Sequence, residues 1–146
     1  MSNPNHLRLT KLALTTGFRR SELLNLTWRN IDLKKKLLYI HRKKCAATDN
    51  SSGMRLVPLP GKARKILEEL QERNGKVIEL STGAARNGFD KARKKAGLET
   101  LRFHDLRHIA ISRMWRSGMN ALEISACSGH RDIKMLMRYS HFQLSI

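Results

Sequence analysis

Negative charge is scarce in this sequence: twelve Asp and Glu stand against 29 Lys and Arg in 146 residues, a formal net charge of +17. Self-repulsion on that scale opposes compaction and points to a polyanionic partner. Aromatic residues make up only 5%, which argues against a platform that stacks single-stranded bases on rings. The two cysteines, Cys45 and Cys127, form no CxxC pair or Cys/His cluster and read as reduced thiols, not a disulfide framework. Six histidines occur without HExxH or zinc-finger spacing, so the sequence indicates no metal and no cofactor. No apolar run approaches the roughly 18 residues of a membrane span, and the N-terminus lacks the pattern of a secretory signal. A soluble, cytoplasmic protein is expected.

What is present suits one globular domain over residues 1–146, with 40% apolar residues to build a core. The cations are spread along the chain, as in Lys34, Lys35, Lys36, Arg42, Lys43 and Lys44, then Arg86, Lys91, Arg93, Lys94 and Lys95. That distribution fits a folded basic surface for nucleic acid better than a basic tail. Charge alone would fit a ribosomal or anionic-membrane role equally well.

Hydrophobic spacing predicts a mainly α-helical α+β fold with one small antiparallel sheet. Leu7, Leu9, Leu12, Ala13 and Leu14 share a helical face closed by Gly17. Ser21 is expected to cap a short helix through Leu26, with Glu22 in its first turn. LLYIHR (37–42) and MRLVPL (54–59) read as a hairpin with a long polar loop, and Pro58 predicts an edge position or an end for the second strand. Helices are expected over Gly61–Arg73, from a Thr82 cap to Ala96, over 104–117, from an Asn120 cap to Cys127, and from an Asp132 cap through Tyr139.

Four places carry residues whose chemistry makes sense together. Arg19, in TTGFRRSELLNLTW, falls in a turn between two helices, where its planar fork can present two parallel donors to a phosphate. In HDLRH, His104 and Arg107 are three residues apart and share a helix face; His108 points elsewhere and reads as structural. In SGHRDIKMLMRYSH, His130 follows a glycine at a helix corner and Tyr139 lies nine residues on. Arg42, Lys43 and Lys44 end the first hairpin strand. Each place alone is as well explained as a solvated charge, a helix start or a half-buried tyrosine. Residues 104 to 141 taken alone also pass for a non-enzymatic helix-turn-helix DNA-binding module.

In order and spacing, the set resembles the tyrosine recombinase, or phage integrase, family over roughly Thr15 to His141. RRSELLNLTWRNID resembles the helix after that family's first catalytic arginine, and RLVPLP the strand that closes its hairpin. The resemblance implies the catalytic-domain fold of that family. It also implies a site-specific recombinase that breaks and rejoins DNA through a 3′-phosphotyrosine link, without metal or ATP. Arg19 and Arg107 would grip the scissile phosphate, and Tyr139 would be the nucleophile. His104 would accept the tyrosine proton, and His130 would bond a phosphate oxygen. Lys44 would protonate the leaving hydroxyl, with Lys43 as the alternative. Arg20, Arg42, Lys43 and Arg131 are further candidate DNA contacts. The partners implied are double-stranded DNA and a homotetramer assembled on it. Relatives carry an N-terminal core-binding domain and an opening catalytic-domain helix, and Arg19 comes so early that both are expected to be missing. The seven residues after Tyr139 are short for a segment that docks on a neighbouring subunit.

Overall fold

A computed structural model describes residues 3–41, 53–130 and 133–138. Helix α1 (Pro4–Thr16) is the central element; it packs against α2 (Arg20–Leu24), α3 (Gly61–Glu68), α4 (Thr82–Lys95) and α5 (Phe103–Arg116). Its inward stripe, Leu9, Leu12, Ala13 and Thr16, is buried, as the 3.6-residue period predicts. Gly17 ends it in the left-handed conformation at φ +72°, donating its N–H to the Ala13 carbonyl. Phe18, Leu23, Leu67, Ile78, Ile111 and Ile124 fill the core around that stripe.

The sheet has three antiparallel strands in the order β1 (Ile31–Asp32), β2 (Leu37–His41), β3 (Met54–Pro58). The two-residue β1 was not expected from sequence, because two residues carry no alternation to read. Pairing runs from Leu37 opposite Pro58 to His41 opposite Met54. Leu38, Ile40 and Val57 point inward, and by the two-residue period Arg55 shares their face. Pro58 both lies on an edge strand and ends it, the two roles expected of it.

Three expected boundaries are corrected. Ser21 is not the cap of α2: Arg19 holds that position with extended backbone, and no side chain caps the helix. Ser81, not Thr82, caps α4, its hydroxyl accepting from the Ala84 N–H. The third helix stops at Glu68, short of Arg73, because Arg73 folds back and donates to the carbonyls of Glu68 and Leu70. The freed segment then pairs backward, with Trp28 N–H on the Gly75 carbonyl and Val77 N–H on the Leu26 carbonyl.

Two further helices close the fold. Asn120 caps α6 (Ala121–Ser128) in a reciprocal box with Glu123, as expected. Helix α6 ends at Gly129 (φ +76°) and packs against β3, α5 and the short α7 (Ile133–Met137). None of the described helices is long and apolar enough to cross a membrane. The hairpin loop with Arg42, Lys43, Lys44 and Cys45 lies outside the described residues, as do Arg131, the Asp132 cap and Tyr139.

Candidate active site

The site is assembled where three chain segments end. Arg19 leaves the α1–α2 corner, while His104 and Arg107 stand on the first turns of α5. Arg19, Arg20, His104 and Arg107 line one open cavity of about 680 Å³, joined by Lys76, Arg86, Arg93 and Arg102. The two arginines predicted to grip a phosphate thus open on a common basic hollow.

Arg107 is 3% exposed, a burial that a guanidinium tolerates only when well bonded. Its Nη1 donates to the carbonyls of Gly17 and Ser128, both at 2.7 Å. These are main-chain oxygens at the C-terminal ends of α1 and α6, where helix geometry leaves carbonyls without partners. The same bonds aim the fork and hold the two helix ends together. Its Nη2 lies 3.1 Å from His130 Nδ1. A guanidinium can only donate, and the same Nη2 also lies 3.4 Å from Nε2, so Arg107 faces both nitrogens of the ring. The Ser128 hydroxyl lies 2.7 Å from Nδ1, and the Ser125 hydroxyl donates to the His130 carbonyl at 2.6 Å.

Burial, then the charges of Arg107 and Arg19, then His108 and Arg138, push His130 down to about 4. His104 is also shifted below its ordinary value, first by partial burial, then by His108, Arg107 and Arg19, against a smaller opposing pull from Asp105. At neutral pH both rings are therefore uncharged: His130 carries one ring N–H that can be offered to an oxygen, and His104 can accept a proton. On the other side, Arg19 also borders a smaller hollow of about 350 Å³ shared with His41, the last residue of β2.

Four positions that matter here were not picked out from sequence. Glu22 bonds Arg19 Nη1 at 3.1 Å and is itself gripped by Arg55 at 3.0 Å; its signal was the three-residue spacing from Arg19, read only as a helix-dipole effect. Arg55 stood in the RLVPLP stretch without a role. The Ser128 hydroxyl carries no sequence signal. His108, read as structural and pointing elsewhere, packs edge-on to His104 with ring centres 5.2 Å apart, since residues four apart on a helix meet. Among the described residues no group of three or more His, Cys, Asp or Glu side chains could hold a metal ion.

This arrangement of helices and sheet is that of an integrase catalytic domain. The solved catalytic domain of bacteriophage HP1 integrase superposes with a TM-score of 0.69 at 24% identity, covering 97% of this chain and 86% of that one. A crystal structure of XerH site-specific recombinase bound to a palindromic difH substrate, in a post-cleavage complex, superposes with a TM-score of 0.67 at 19% identity, covering 98% and 45%. The profile of the phage integrase family matches residues 3–145, and the chain belongs to that family. A shufflon-specific DNA recombinase of Escherichia coli is 37% identical over 134 residues, 90% of this chain and 33% of the relative. The chain thus spans about a third of that relative's length.

Proposed function

We propose that this chain carries the catalytic portion of a site-specific DNA recombinase that cuts and rejoins strands through a tyrosine–DNA link. One observation carries the reading: Arg19 and Arg107, 88 residues apart in sequence, open on one basic cavity with His104, and His130 is bonded to Arg107. Preorganised positive charge of this kind stabilises the negative charge that builds on phosphorus during attack, and each such donor contributes several kcal/mol in a partly dry site.

In the proposed reaction Tyr139 attacks the phosphorus and its proton passes to His104. The 3′-phosphotyrosine forms as the 5′-oxygen leaves with a proton from Lys44, or from Lys43. His130 donates a ring N–H to a non-bridging oxygen. A free tyrosine ionises near pH 10, so acceptance of its proton and the arginine field both count. The covalent link conserves the bond energy, and a 5′-hydroxyl of a second strand reverses the step. Duplex DNA as substrate, Arg20, Arg42, Lys43 and Arg131 as further DNA contacts, a four-subunit assembly on that DNA and a cytoplasmic setting belong to the same proposal.

The test is a set of nicked suicide duplexes with a randomised core, incubated with the full chain. A DNA adduct that survives denaturation and is lost in Tyr139→Phe is expected. Retention of DNA without any adduct, both by this chain and by a longer protein that contains it, would instead identify a binding module of the helix-turn-helix kind.

A further inference from the structure

We infer that Arg55 is a positioning residue for the phosphate clamp, keeping the charge of Arg19 available to substrate. The inference deepens the function proposed above and rests on that reading for its catalytic consequence. Arg55 does not line the cavity. It lies on the inward face of β3, opposite Ile40, with its side chain 11% exposed. From there it reaches both halves of the clamp. Toward Arg19, its Nη2 and Nη1 meet the two Glu22 oxygens at 3.0 and 3.3 Å, and its guanidinium lies 5.5 Å from the centre of the Phe18 ring. Toward His130, Nη2 lies 3.4 Å from the Cys127 carbonyl. Gly129 passes so close that a Cβ there would stand 2.7 Å from Arg55 Cζ.

Charge makes the consequence specific. Arg19 and Glu22 alone sum to zero where a phosphate anion must bind. Arg55 takes up both carboxylate oxygens in a fork that matches their geometry, which returns the group of three to a net positive charge. Glu22 then holds Arg19 by a single contact, Nη1 to Oε1. Without Arg55 the carboxylate is left to pair fully with Arg19 and draws it off the substrate.

The experiment compares the full chain with Arg55→Met, Arg55→Lys and Arg55→Met/Glu22→Gln. It measures single-turnover adduct formation on saturating suicide duplex, DNA affinity, thermal melting, and the Arg19 Nε–H signal by NMR without DNA. Arg55→Met is expected to slow adduct formation about 10- to 100-fold while affinity changes by less than about threefold. Arg55→Lys falls between, and adding Glu22→Gln recovers most of the loss by removing the competing carboxylate. The Arg19 signal should move in Arg55→Met and return in the double variant. Wild-type rates in Arg55→Met, or no recovery in a folded double variant, overturn the inference. If Arg55→Met does not fold, Arg55→Lys with and without Glu22→Gln makes the same comparison. If the unmodified chain forms no adduct, the proposed function fails for it, and the Arg19 signal alone decides the role of Arg55.

Discussion

Both ends of the Arg107 fork are engaged before any substrate arrives, Nη1 on two carbonyls and Nη2 on His130. Arg107→Ala would leave the Gly17 and Ser128 carbonyls buried without that donor, at about 1–3 kcal/mol each. Urea denaturation of that variant should show a loss of about 2–5 kcal/mol, and adduct formation should vanish. Arg107→Lys should keep part of the stability but not the activity, since a single ammonium cannot reproduce the fork. His130 predicts a pH dependence. Its folded value, about 4, lies below the ordinary histidine value, so the unfolded chain binds the proton more readily. The resulting stability is present above about pH 6.5 and is lost as pH falls toward 4. Because the ring is half-buried, solvent screening reduces the effect to on the order of 1 kcal/mol. Melting followed from pH 7.5 to 4.5 should show the decline, and His130→Asn should flatten it. The residue types were legible in sequence, since an HxxR pair and a GH corner announce themselves. The setting of the His130 ring was not, because it is built by Ser128 and Arg107 from different helices.

Helix ends, more than helix bodies, build this site. Gly17 and Gly129 both adopt left-handed backbone, and the carbonyls their corners release are those that seat Arg107. Gly129→Ala should destabilise by about 1–2 kcal/mol from backbone strain alone. It should also displace Arg55, whose guanidinium occupies the space a Cβ needs. Activity should therefore fall by more than the melting shift explains, and Gly118→Ala, where nothing lies within 4 Å of the added carbon, is the control. Helices with a strong apolar period and a clear stop were readable from sequence, as α1, α5 and α6 show. The end of α3 was not, because Arg73 reaches back to carbonyls from beyond it. The start of α2 was missed for a related reason: Arg19 takes the cap position through its backbone, while its side chain serves the cavity. A cap rule based on side-chain oxygens does not see that.

At the scale of the whole molecule the net charge of +17 is the dominant property, and the cavity concentrates part of it. DNA binding should weaken steeply with salt; if 6–10 phosphates are neutralised, affinity drops by about 10³–10⁵ between 50 and 200 mM. Equilibrium binding over that range checks this, and a flat response would contradict a phosphate-dominated interface. What the sequence by itself determined was the partner class, the helical pattern and the order of the chemical groups, because charge, periodicity and spacing are properties of the chain read locally. Only the tertiary structure decided that Arg19 and Arg107 share a hollow, that His130 is neutral at pH 7, and that Arg55 stands behind Glu22. Each of these depends on distances between segments far apart in the chain, and those distances are set by how the core packs.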